Sequence, residues 1–268
     1  MNRNRRVNMK QKNFYLVGTV HRDPDGPQRL ESLLEKVRPE NIAIETSEER
    51  ANQSSSHSLS EREQEEKCKK DLQEMSTKFN LTPEQVQTVT SIFKFYAVYG
   101  YEIRVPKQYA AQQAGVTVHY IDTAVEHKIH LEYTSLLDQI SKVKYDAISA
   151  ERFKKTLDRG ADWWLQKLRT KSNELYQAPR EGKEAFHRKV RAPKFLRKLK
   201  KIWPEAHRVF VNNLGAERDT VMAKNIRELY REDKRMVAIC GMGHLYALEE
   251  LLSDLHPYIL PLNEYHKI

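Results

Sequence analysis

Two histidines at opposite ends of the chain stand in the same local setting. His21 closes Gly18-Thr19-Val20-His21 after the apolar run Asn13 to Val17, and His244 closes Gly241-Met242-Gly243-His244 after Met236 to Cys240. Each is a short β-type stretch followed by glycine, two residues and an imidazole. Glycine lets the backbone turn sharply, or approach a ligand, where a side chain would clash. In an α/β sheet, ligands and catalytic groups gather beyond the carboxyl ends of parallel strands. Two such ends can bring both imidazoles over one sheet edge. The plainer alternative is that each histidine caps a loop or fills a turn.

A carboxylate joins them. After His21 comes a turn-rich loop, Asp23-Pro24-Asp25-Gly26-Pro27, and then an amphipathic stretch, Gln28 to Val37. Leu30, Leu33, Leu34 and Val37 recur there at helical spacing. Pro39 stops the helix, and Ile42-Ala43-Ile44 reads as a second buried strand with Glu45 at its end. A β-α-β crossover makes the two strands parallel, which puts Glu45 at the same sheet edge as His21.

Further along, the polar break Ser54-Ser55-Ser56 precedes a charged stretch from Ser60 to Lys78. Thr82-Pro83-Glu84 predicts a helix start, running to Tyr99 and ended by Gly100. Another helix is expected over Pro106 to Ala114, closed by Gly115. Val116 to Ile121 reads as a third strand ending in Asp122, which is either a site residue or a helix cap. Asn213 to Tyr230 predicts a strong helix, capped by Asn213, with Met222 and Ile226 on its buried face. Arg218 lies one turn from Met222. A half-buried arginine wants a carboxylate or an anionic ligand.

Taken together these features resemble the TraB/PrgY family. They are the G-T-x-H after the first strand, a strand ending in Glu45 with Arg50 five residues on, and Arg218-Asp219-x-x-Met222 before a strand and Gly241-x-Gly243-His244. The group includes GumN-like and TIKI proteins and is more distantly similar to the erythromycin-esterase and ChaN folds. The positions carried over are Gly18, His21, Glu45, Arg50, Arg218, Met222, Gly241, Gly243 and His244; the family also places an acidic residue near Asp122. The resemblance covers the two ends of the chain, and the middle is compatible with the family's variable helical insertion. It implies an α/β core and a metal-dependent hydrolase or peptidase.

The fold expected is α/β, with a mixed or largely parallel central sheet from the N- and C-terminal segments and a large helical insertion. Its organisation is a basic tail (1–12), a core (13–50 and 210–268, with 116–122 as a further strand) and the insertion (51–115 and 123–209). Two neutral imidazoles and a carboxylate suit a divalent ion with open positions, so His21, Glu45 and His244 are candidate ligands for Mn, Co, Fe or Zn. Such an ion acidifies bound water and polarises a carbonyl of a peptide or small-molecule substrate. Arg218 would pair with Glu45 or stabilise a tetrahedral oxyanion. Without metal, one histidine would act as general base, oriented by Glu45. Asp23 and Asp25 could add a ligand, although Asp-Pro-Asp-Gly is foremost a good turn.

Composition bounds these readings. The chain has 268 residues, of which 31% are charged, and a mean hydropathy of −0.76. No apolar run reaches membrane-span length, and the basic start is followed by too short an apolar run for a signal peptide. Only Cys68 and Cys240 are present. That is too few for a disulfide framework, and a cytoplasmic protein is the simplest reading. The formal net charge of +9 is concentrated: Arg180 to Lys201 is net +8 and the first twelve residues net +5. Segment 180–201 therefore reads either as a seat for an anionic partner, nucleic acid or an anionic membrane surface, or as a solvated helix face. The alternative to hydrolysis is a non-catalytic protein of the same fold that binds a ligand, a metal or a partner, or a polyanion through this basic segment.

Overall fold

Apolar runs with no polar alternation are what parallel strands need, because helices cover both faces of such sheets. The computed structural model describes residues 12–49, 51–52, 61–96, 100–122, 150–177, 204 and 216–268. In it, β1 (Phe14–Thr19), β2 (Asn41–Ile44), β3 (Thr117–Tyr120), β4 (Met236–Gly241) and β5 (Tyr258–Pro261) form one sheet in the order β3-β2-β4-β1-β5. Every pairing is parallel. β4 comes late in the chain yet takes the centre, and all six of its residues are buried. The two ends of the chain thus build the middle of the sheet.

Register decides what meets at the edge. Thr19 is opposite Gly241, and Ile44 is opposite both Ile239 and Tyr120. The Glu45 N–H extends the β2–β4 ladder by donating to the Ile239 carbonyl at 3.0 Å, and the Asp122 N–H donates to the Thr46 carbonyl at 3.2 Å. The residues that follow β1, β2, β3 and β4 therefore emerge side by side.

Helices fill the remainder. α1 (Gly26–Val37) has proline in its first turn and ends at Arg38, a left-handed residue with φ 50° whose N–H returns to the Leu34 carbonyl. Its Leu30, Leu33 and Leu34 have no exposed surface. The middle of the chain supplies α2 (Glu61–Phe79), α3 (Pro83–Tyr96), α4 (Tyr101–Gln112), α5 (Ala150–Leu157) and α6 (Gly160–Gln177), and the C-terminal part supplies α7 (Ala216–Leu229) and α8 (Met242–Leu251). α1 packs on α4, α3 on α6, and α7 on α8. Thr82 and Gln85 cap α3 reciprocally: the Gln85 N–H donates to Thr82 Oγ1 at 3.3 Å, and the Thr82 N–H to Gln85 Oε1 at 3.0 Å.

Two departures from the sequence reading have physical reasons. α4 begins at Tyr101, not Pro106, so the proline lies inside the helix. It removes the N–H that would bond to the Glu102 carbonyl, while burial of Tyr101, Val105 and Tyr109 holds the helix across the gap. β5, which the pattern of apolar runs did not mark, is an edge strand ending at Pro261, a position where proline is tolerated. Arg50, the Asn213 cap, segment 180–201 and residues 1–11 of the basic tail lie outside the described residues.

At Gly18 the strand and α8 leave no room for a side chain. A Cβ there would lie 2.5 Å from Met242 Sδ and 2.7 Å from Leu245 Cδ2. Gly18→Ala should therefore cost about 1–3 kcal/mol through overpacking. Urea denaturation measures this; an unchanged midpoint would mean α8 shifts without cost.

Candidate functional site

A carboxylate taken out of water must be compensated, and Glu45 is compensated from three directions. Its side chain is 11% exposed. The Gly241 N–H donates to Oε2 at 2.6 Å. Arg218 Nη2 donates to Oε1 at 3.1 Å, and His244 Nε2 lies 3.3 Å from the same oxygen. Burial alone would raise the Glu45 pKa, but His244, Arg218, His21 and the Gly241 N–H outweigh it and hold the pKa at about 2. Glu45 is thus an anion at neutral pH, and its favourable contacts are lost only as pH falls from the ordinary carboxylate range through that low value.

Arg218 stands in the first turn of α7. Besides Glu45 it bonds Asp122 through Nε at 3.1 Å and through Nη2 at closer range. The Asp122 side chain has no exposed surface. Met222, one turn along, is fully buried, and Asn225 Nδ2 donates to the Ile121 carbonyl at 2.9 Å. These contacts fix α7 against the end of β3, so the guanidinium bridges the ends of β2 and β3.

The two imidazoles are each tied at Nδ1. His244, in the first turn of α8, has Nδ1 2.6 Å from Asp219 Oδ1. Burial disfavours its imidazolium, but Glu45 and the bond to Asp219 raise its pKa above the ordinary value despite Arg218. His21, two residues beyond β1, has Nδ1 2.7 Å from Glu102 Oε1. Its Nε2 lies 3.5 Å from where a Cβ would stand on Gly241, a point itself 3.4 Å from Glu45 Oε2. Gly241 is thus the bare backbone over which His21 and Glu45 approach each other. Gly243 lies in the same first turn as His244.

The structure therefore gathers His21, Glu45, Asp122, Arg218, Gly241 and His244 at the sheet edge, with Gly18 and Met222 in the packing behind them. Arg50 lies outside the described residues. Asp23 is drawn elsewhere, to Arg29 Nη1 at 2.7 Å and the Asp25 N–H at 3.0 Å, so the Asp-Pro-Asp-Gly segment is a turn. Glu102 and Asp219 were not singled out from the sequence. Asp219 directly follows Arg218 in the Arg-Asp-x-x-Met pattern and carried a signal there; Glu102 carried none. Cys240 is buried under the cluster, and burial, Glu45 and Asp219 push its thiol well up, which argues against a thiolate nucleophile.

Among the described residues, no group of three or more His, Cys, Asp or Glu side chains is arranged to hold a metal ion. Glu45 instead directs its oxygens at an amide, a guanidinium and an imidazole. The kinds of donor present do fit a divalent ion. Ligating histidines ordinarily have a carboxylate at their second nitrogen, and here Nδ1 of His21 lies against Glu102 and Nδ1 of His244 against Asp219.

A parallel α/β sheet with imidazole, carboxylate and guanidinium groups gathered past its strand ends defines the class of this protein. The chain belongs to the TraB/PrgY/gumN family, whose model matches residues 5–256. A protein of Methanocaldococcus jannaschii described as "Uncharacterized protein MJ1365" is 24% identical to it over 249 residues, or 90% of this chain and 54% of that protein. The chain thus spans about half the length of that curated relative. No solved structure matches the chain. Among the described residues, no helix is long and apolar enough to cross a membrane.

Replacing Arg218 by methionine removes the cation between two buried carboxylates. The variant should lose about 3–5 kcal/mol near neutrality, and the loss should shrink in mild acid, where Glu45, deprived of one of its offsets, takes up a proton more readily. Chemical denaturation at the two pH values checks this; an equal loss at both would remove charge as the cause.

Proposed function

We propose that the chain is a metal-dependent hydrolase that cleaves a peptide or ester bond at the carboxyl edge of its sheet. The observation that carries this reading is the pair of imidazoles flanking Glu45, each tied through Nδ1 to a separate carboxylate. His21 Nε2, Glu45 and His244 Nε2 would hold Mn, Co, Fe or Zn, which supplies an acidified water and polarises the substrate carbonyl. Glu102 and Asp219 orient the imidazoles. Arg218 balances Glu45 and Asp122, and its positive charge favours the anion that develops in a tetrahedral intermediate. The Gly241 N–H holds Glu45 in place.

The same reading keeps the partition into an α/β core and a helical insertion, action in the cytoplasm on a peptide or small-molecule substrate, and an anionic partner at segment 180–201. It extends to kinship with the TIKI proteins and, more distantly, the erythromycin-esterase and ChaN folds. A second reading is metal-free: one histidine, His21 with Glu102 at its Nδ1, would act as general base, and Glu45 would orient the base. A third is a non-catalytic binding protein of this fold.

Metal content of the purified protein, measured by inductively coupled plasma mass spectrometry beside a folded His21→Ala/His244→Ala variant, separates the three. A near-stoichiometric metal lost in the variant together with esterase or peptidase turnover is the expected result. Turnover without metal, even after reconstitution, moves the assignment to acid–base chemistry at His21. Neither metal nor turnover leaves a binding protein.

A further inference from the structure

We propose that Glu102, delivered by the helical insertion, is the positioning residue of His21 and fixes its tautomer through a helix pinned to the His21 loop. The consequence for turnover rests on the hydrolytic reading above; the tautomer does not.

His21 sits on a loop with 56% of its side chain exposed. Glu102 is 9% exposed, with Oε1 2.7 Å from His21 Nδ1. With a carboxylate oxygen of Glu102 accepting this bond, Nδ1 carries the proton, and in the neutral ring Nε2 is the basic nitrogen. An imidazole in water prefers the opposite arrangement. Glu102 thus turns the basic nitrogen toward Gly241 and Glu45.

What holds Glu102 is visible on both sides of the loop. Tyr101, the preceding residue, is 1% exposed, and its hydroxyl donates to the Val20 carbonyl at 3.3 Å, one residue before His21. Its ring presses on Gly26 so closely that a Cβ there would lie 2.5 Å from Cζ. From α6, the Tyr176 hydroxyl accepts the Val20 N–H at 3.3 Å and donates to Asp23 Oδ2 at 3.1 Å, while Ser172 Oγ donates to the Arg22 carbonyl at 3.3 Å. Val20, Arg22 and Asp23, which bracket His21, are thus gripped by α4 or α6. His244 differs: it is 5% exposed on a helix, and packing fixes it without such a clamp.

The test reads the ring directly. Long-range proton–nitrogen correlation spectra of labelled imidazoles, taken at mildly alkaline pH and assigned with His21→Ala, give the tautomer in the wild type and in Glu102→Ala. Glu102→Met, closer in volume, serves should the alanine variant fail to fold. The wild type should show Nδ1–H with bare Nε2, and the variant should shift toward Nε2–H. In the same variant, kcat for the ester substrate should fall about 10–100-fold with KM little changed, and affinity for Zn²⁺ alone, read against a chromophoric chelator, should fall by a similar factor. An Nε2–H ring in the wild type, or a folded variant whose His21 signals match the wild type, overturns the proposal. A tautomer shift with no turnover in any protein, wild type included, sinks the hydrolytic reading and leaves the role of Glu102 standing.

Discussion

Everything at the sheet edge is arranged around one buried anion. Glu45 ends a strand that is paired on both sides, so water cannot solvate it as it would on a surface. Its compensation comes from Gly241 of the neighbouring strand, Arg218 of α7 and His244 of α8. These residues are distant in sequence and meet only when β4 has entered between β1 and β2. The charge cluster and the sheet order therefore require each other. Breaking one partner leaves an unbalanced carboxylate, which costs far more than an intact surface pair is worth.

Arg218 and Asp122 extend the cluster sideways. Asp122 is itself buried at the end of β3, and a single guanidinium contacts both acidic side chains. Planar, delocalised and always charged, arginine can face two acceptors at once, which a lysine ammonium on a flexible stem would do poorly. The edge strand β3 is thereby tied to the core by ionic contacts as well as by its ladder to β2. α4, which leads into β3, and α6 grip the loop that carries His21. The middle of the chain is thus joined to the strand ends at the edge where the charged groups gather.

What was legible in the sequence is what local pattern encodes. Continuous apolar runs named β1, β2, β3 and β4; leucines at helical spacing named α1; and residues at strand ends named His21, Glu45, Asp122 and His244. Arg218 was legible through its spacing from Met222. Glu102 was not, because an acidic residue near a helix start is ordinary and its meeting with His21 depends on how α4 folds back onto α1. The start of α4 was misplaced because Pro106 argues locally for a first turn, and only tertiary burial of Tyr101 overrides it. β5 was passed over because prolines at Pro257 and Pro261 dilute a short run, although an edge strand accepts them.

The two Gly-x-x-His segments look equivalent in sequence, yet their glycines answer different constraints. Gly18 faces inward, where Met242 and Leu245 leave no volume for a methyl group; its role is packing density. Gly241 faces the cluster, where a Cβ would touch Glu45 Oε2 and His21 Nε2 only at ordinary contact distance. Alanine there is sterically tolerable, so packing does not explain that glycine. What it supplies is a close approach: its N–H reaches Glu45 at 2.6 Å. A repeated motif has thus been put to two uses, one holding α8 against β1 and the other bringing a backbone N–H onto Glu45.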